Sequence, residues 1–94
     1  EKHYTYLLLT VYNKLYCGYT NNLEKRFRKH VEGTASKYTR ANKPVKFVYI
    51  EEHETKSEAL KSEARIKTLN KKQKKSLINS DNNIIDHFKP ACFS

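Results

Sequence analysis

Ninety-four residues, 37% of them hydrophobic, leave room for one small domain with a thin core. Lys and Arg number 19 against 10 Asp and Glu, a net charge of +9 that favours polyanionic partners. Seven Tyr and four Phe argue against a disordered chain, the longest apolar run (Leu7 to Leu9) is too short to span a membrane, no secretory leader is visible, and two cysteines, Cys17 and Cys92, make neither a disulfide scaffold nor a zinc site. A basic domain working in the cytoplasm is the expectation.

Tyr4 to Thr10 is apolar on both faces and rich in Tyr and Leu, which predicts a central strand. A turn at Asn13-Lys14, where Asn tolerates positive φ, returns the chain as a second strand from Leu15 to Thr20. Asn21 or Thr20 caps a helix from Asn22 to Val31 whose apolar stripe is Leu23, Phe27 and Val31, and Gly33 stands where a helix C-terminal glycine belongs. Residues 34–43 read as a basic loop. Pro44 opens a third strand, Val45 to Glu51, in which Val45, Phe47 and Tyr49 alternate with Lys46, Val48 and Ile50. Thr55 and Glu58 match a capping box for a helix from Lys56 to Leu69, and Asn70 caps a short basic helix through Ile78. The tail from Asn79 to Ser94 has no clear period and reads as a docked or loose extension. The order β-β-α-β-α-α is that of an α+β fold, a small sheet with helices.

The charge is clustered. Between Lys25 and Lys46 eight bases face only Glu32. An AT-rich genome accounts for Lys over Arg, 15 against four, but not for the clustering. No helix pairs its bases with a bulky apolar face, so nucleic acid ranks ahead of an anionic membrane.

Three sets of residues are candidates for chemistry. Tyr6 and Tyr16 lie on paired strands, in a register the sequence leaves open, with Gly18 leaving the same face bare for a phosphate; a cross-strand packing pair is the alternative. Arg26 and His30 emerge together at i, i+4, a planar fork for phosphate oxygen beside a proton acceptor, or else part of a solvated face with Lys25, Arg28 and Lys29. Glu63 projects near the centre of the face defined by Ala59, Leu60 and Ile66, where a carboxylate needs a partner: a divalent cation, Arg26, or a place at the stripe's edge. His3, His53 and His87 lack metal-ligand spacing, and Cys17 suits packing better than nucleophilic attack.

Together, Tyr4-Thr5-Tyr6, Tyr16-Cys17-Gly18, the run from Leu23 through Arg26 to His30, and Glu63 resemble the GIY-YIG nuclease family. Ala35-Ser36-Lys37-Tyr38-Thr39-Arg40, Lys43-Pro44-Val45 and Ser57-Glu58-Ala59-Leu60-Lys61 are similar to its small stand-alone, YhbQ-like members. The resemblance covers about residues 3–78 and implies a three-stranded antiparallel sheet flanked by helices, with a nuclease domain over residues 1–79 and an extension over 80–94. It implies a metal-dependent endonuclease cutting DNA, with RNA also open, and selecting single strands or branched structure over a long sequence. Tyr6 would activate the attacking water, Tyr16 position it or the phosphate, Arg26 stabilise developing charge and His30 support the tyrosines. Glu63 would hold Mg²⁺ or Mn²⁺. Lys25, Lys29, Lys37, Tyr38, Arg40, Lys43 and Lys46 would follow a nucleic-acid strand, Tyr38 stacking a base. No membrane or obligate protein partner is implied; a non-catalytic nucleic-acid-binding module on the same scaffold is the alternative. The first motif lacks the glycine of the family name, Cys17 replaces a branched residue or Thr, and a late asparagine of some relatives has no certain counterpart, Asn70 and Asn79 being candidates.

Overall fold

The computed structural model describes residues 1–87. Cys92 and the rest of the predicted extension beyond His87 lie outside the described residues. Three strands, β1 (His3–Thr10), β2 (Lys14–Thr20) and β3 (Pro44–His53), form one antiparallel sheet in the order β2-β1-β3. β1 is central because both of its faces are apolar: Leu7 and Leu8 are both fully buried, on opposite sides. The hairpin turns one residue earlier than expected. Lys14 already pairs with Thr10, and the left-handed conformations fall on Tyr12 (φ 64°) and Asn13 (φ 58°).

Strict alternation in β3 fails at Val48. Leu7 pairs with Tyr49 but Leu8 with Phe47, so Val48 is the extra residue of a β-bulge. The bulge places Phe47 and Ile50 with Tyr6 and Leu8 on one face, and Tyr49 with Leu7 and Cys17 on the other.

Helices cover both faces. On the Tyr6 side lies α1 (Leu23–Glu32), capped by Asn22, whose side chain accepts from the Lys25 amide at 3.1 Å. Asn21 is therefore not the cap, and Thr20 instead accepts from the Asn22 amide at 3.0 Å. Gly33, at φ 82°, ends the helix as its position suggested. Leu23 and Phe27 pack inward, but Val31 is 53% exposed and His30 is buried in its stead. The expected basic loop contains a short helix, α2 (Lys37–Ala41), because Ser36 accepts from the Thr39 amide at 3.0 Å and so caps it.

The Leu7 side is covered by α3 (Lys56–Lys67) and α4 (Lys71–Ile78), capped by Thr55 and by an Asn70/Gln73 capping box. Ala59, Ser62 and Ile66 form the buried face of α3, while Leu60, expected there, is 40% exposed. Ser62 and Tyr49 donate to the Glu51 carboxylate and His53 contacts it at 2.8 Å, fastening α3 to β3. Burial pushes the Glu51 pKa up, but those hydrogen bonds outweigh it and hold the carboxyl below its ordinary value.

Residues 80–87 return to the Tyr6 face, where Ile84 and Ile85 pack on the core. The fold is α+β, a three-stranded antiparallel sheet flanked by helices. Among the described residues no helix is long and apolar enough to cross a membrane.

Candidate active site

The register sets Tyr6 opposite Gly18 and Leu8 opposite Tyr16, so the two phenols are diagonal neighbours with ring centroids 6.4 Å apart. The bare face of Gly18 is not vacant, as expected for an approaching phosphate. A Cβ there would fall 2.6 Å from Tyr6 Cζ, so the Tyr6 phenol fills the space. Tyr6 is fully buried and Tyr16 only half-buried. Tyr16 is therefore the more solvent-accessible of the two residues.

A hydrogen-bonded chain runs inward from α2. His30 Nε2 lies 2.7 Å from Tyr6 Oη, and His30 Nδ1 lies 2.7 Å from Thr39 Oγ1. Thr39 Oγ1 is in turn 2.8 Å from Ser36 Oγ. Burial, aided by the Arg26 charge, lowers the His30 pKa to about 4, so the ring is neutral near pH 7. With both nitrogens engaged, His30 is a bridge, not the free proton acceptor its spacing on the helix suggested. Burial also raises the Tyr6 pKa, outweighing the hydrogen bond and charge of Arg26 that act the other way. Arg26 alone does not make Tyr6 a ready base.

Arg26 is half-buried, donates from Nε to Tyr6 Oη at 3.4 Å, and has no carboxylate partner among the described residues. Its recess of about 180 Å³ is shared with Thr20, Asn21, Asn22, Lys25 and Lys29. Across the sheet face Tyr38, a residue 38% exposed, stacks on Tyr16 at 5.9 Å and an interplanar angle of 27°. Lys37 and Arg40 share α2 with Tyr38, and Lys43 follows the helix after its C-cap Asn42. Lys46 is set apart, lining a different recess with Asn79, Asn83 and Asp86.

Glu63 stands elsewhere. Its backbone carbonyl accepts from Cys17 Sγ at 3.8 Å, and its carboxylate pairs with Lys67 at 3.4 Å, not with Arg26. Cys17 neighbours Tyr16 in β2, but its side chain belongs to the opposite face. Burial, and next the Glu63 charge, push its thiol up to about 12, making it the inert packing residue expected. Among the described residues no three metal-ligating side chains cluster. A single carboxylate fits a cation that keeps waters and takes its other ligands from substrate phosphate, which is the habit of Mg²⁺.

The model of the GIY-YIG catalytic domain matches residues 2–76. The chain belongs to the GIY-YIG family. It is 49% identical over 78 residues to a UPF0213 protein of Bacillus velezensis, a match covering 83% of this chain and 79% of the relative. It is 46% identical over 78 residues to a UPF0213 protein of Staphylococcus saprophyticus, covering 83% and 95%. The solution NMR structure of a UPF0213 protein from Bacillus halodurans superposes with a TM-score of 0.57 at 28% identity, over 100% of both chains. Nucleases of the GIY-YIG family act on nucleic acid and generally use a divalent metal.

Three polar residues escaped the sequence reading, Ser36 and Thr39 within the stretch that matches the GIY-YIG domain and Asn83 beyond it. Ser36 and Thr39 were hidden by taking residues 34–43 as a loop, although Ser is itself a favoured N-cap residue. Asn83 is the third. Its side chain accepts from the amides of Ile50 at 3.1 Å and Ile85 at 3.0 Å, and donates to the carbonyls of Val48 and Ile78, both at 2.9 Å. It satisfies backbone groups along the outer edge of β3, beside the Val48 bulge. Asn70 and Asn79, considered for a late asparagine, only terminate α4.

Proposed function

We propose that this GIY-YIG domain is a metal-dependent endonuclease hydrolysing phosphodiester bonds in DNA, reading strand form more than sequence. The observation that carries the reading is Arg26: a guanidinium anchored at Nε by a buried phenol, unpaired with any carboxylate among the described residues, in a recess with Lys25 and Lys29. Such a group recognises phosphate and stabilises charge that develops on it. Tyr16 accepts the proton of the attacking water, because it is the more solvent-accessible of the two tyrosines and a general base must reach the water it deprotonates. Tyr6 and His30 hold Arg26. Glu63, released from its pairing with Lys67, would hold a divalent ion, Mg²⁺ or Mn²⁺, which when bound would polarise phosphate and stabilise a leaving oxygen.

The exposed bases Lys25, Lys29, Lys37, Arg40 and Lys43 follow the strand, and Tyr38 stacks a base. So short a domain has little surface for reading base edges, which favours single-stranded or branched substrates.

The test incubates labelled single-stranded, duplex and branched DNA, and RNA, with the full chain in Mg²⁺, Mn²⁺ or EDTA, beside Tyr16→Phe and Glu63→Ala. Cleavage is expected with metal only, and from the wild type only. Cleavage that persists in EDTA or in both variants rejects the mechanism, and binding without cleavage assigns the domain to a non-catalytic binding module.

A further inference from the structure

We infer that Thr39 is a positioning residue for Arg26, acting through the buried chain Thr39–His30–Tyr6 to fix which proton each group carries. The inference deepens the nuclease reading and rests on it for its kinetic consequence, though not for its structural one.

The proton assignment follows from what each atom has available. Tyr6 is fully buried, and its oxygen has two polar neighbours among the described residues, Arg26 Nε and His30 Nε2. Arg26 Nε can only donate. The phenol hydrogen must therefore go to His30 Nε2, which accepts. A neutral imidazole carries one proton, so it resides on Nδ1, which donates to Thr39 Oγ1 at 2.7 Å. The Thr39 hydroxyl then donates to Ser36 Oγ at 2.8 Å. Ser36 Oγ also accepts from the Thr39 amide at 3.0 Å, using both of its lone pairs, and its own hydrogen is left for solvent at a half-buried position. No buried side-chain nitrogen or oxygen of the described residues lacks a partner under this assignment.

The consequence is at Tyr6. Because His30 takes the phenol hydrogen, a lone pair of Tyr6 Oη is turned to Arg26 Nε–H, and the rest of the fork is left for phosphate. The opposite tautomer breaks this. With the proton on Nε2, His30 and Arg26 both donate to Tyr6, and the phenol hydrogen has no buried acceptor, so Arg26 loses its place or the phenol turns away. Arg26, through Tyr6, and Thr39 favour the same tautomer from the two ends, and the Thr39 oxygen is the buried acceptor without which Nδ1–H is left unsatisfied and the balance tips toward Nε2. It touches neither substrate nor metal, and its reach to Arg26 passes entirely through Tyr6. Ser36 supports the choice from the surface by accepting the Thr39 hydroxyl.

The test uses the uniformly ¹⁵N-labelled full chain. Long-range ¹H–¹⁵N spectra of the imidazole report the His30 tautomer directly, with no substrate and no metal. The wild type is expected to show neutral His30 with its proton on Nδ1 from pH 5.5 to 8. Thr39→Val, close to isosteric but without the hydroxyl, is expected to move the proton to Nε2, and Thr39→Ser to keep it on Nδ1. In cleavage assays Thr39→Val should lower kcat about 10-fold with KM within about twofold, and Thr39→Ser should stay within about threefold of wild type, since the lost interaction serves the transition state. A wild-type His30 protonated on Nε2, or doubly protonated at pH 7, overturns the inference without any variant being needed. So does a Thr39→Val chain with the wild-type tautomer, or one that switches tautomer yet cleaves at the wild-type rate. If the wild type cuts no nucleic acid under any condition, the nuclease reading fails, while the tautomer spectra still decide whether Thr39 sets the proton on His30.

Discussion

Replacing Gly18 with Ala should cost stability out of proportion to one methyl group. The backbone at Gly18 is not in the left-handed region, so alanine is conformationally acceptable there. In an open strand the change would stabilise by roughly 0.5–1 kcal/mol by restricting the unfolded chain. Here the new Cβ lies 2.6 Å from Tyr6 Cζ and 3.0 Å from Tyr16 Cε2, and the ring must retreat by roughly 1 Å to restore a carbon–carbon contact near 3.5 Å. Retreat is blocked on the other side by Phe47, whose ring centroid is 5.1 Å away. It also stretches the 2.7 Å contact to His30 beyond hydrogen-bonding range. Overpacking costs about 1–3 kcal/mol, and a broken buried hydrogen bond a further 1–3 kcal/mol. A loss of about 2–5 kcal/mol in a domain of this size lowers Tm by roughly 10 °C or more. Thermal melts followed by circular dichroism measure it. A Tm within about 4 °C of wild type would refute the close packing of Tyr6 on Gly18. In a Tyr6→Leu background, where the obstructing phenol is gone and the 3.0 Å approach to Tyr16 Cε2 remains, the same Ala substitution should cost much less.

Asn83→Ala should destabilise the domain by about 2–4 kcal/mol, because it leaves the buried Ile50 amide without an acceptor; unchanged urea midpoints and unchanged exchange of that amide would contradict the clamp. The His30 pKa is depressed to about 4 in the folded chain against 6.5 when unfolded, so between those values the unfolded state binds more protons. Stability is then full above pH 6.5 and falls as the pH is lowered, by about 2 kcal/mol at pH 5, before Glu51 begins to titrate. Urea titrations at pH 7 and pH 5 that agree within error would show the ring to be open to water. Tyr38→Ala removes an exposed residue stacked on Tyr16 and should weaken binding of single-stranded DNA about 10-fold in fluorescence anisotropy, with Tm shifted only slightly. Unchanged affinity would remove Tyr38 from the binding surface.

Much of the fold was legible because local chemistry and tertiary packing agree. Leu7 and Leu8 demand cover on both sides and so make β1 central; Thr55, Asn70 and Gly33 act as helix ends in the structure as their residue types suggest. The departures share one cause, a tertiary partner far away in sequence. Val48 bulges out where Asn83, 35 residues later, bonds its carbonyl on the outer edge of β3. His30 takes the inward position that periodicity gave to Val31 because Tyr6 and Thr39 satisfy both of its nitrogens. Residue types pointed to the grouping of Tyr6, Arg26 and His30. Which of the two tyrosines is the more accessible was not legible, since it depends on the strand register that sets Tyr6 against Gly18.

The Asn83 clamp also bears on the order in which the domain can be completed. The family pattern ends at residue 76, yet Ile84 and Ile85 pack on the core that holds Tyr6, and the Ile84 amide donates to the Ile50 carbonyl at 3.0 Å. A chain emerging from the ribosome presents Tyr6, Tyr16, Arg26, His30 and Glu63 well before it presents Asn83. Until then the outer edge of β3 is open beside the Val48 bulge. The candidate site residues are thus synthesised first and locked last, and the physical unit of folding extends past the stretch by which its ancestry is recognised.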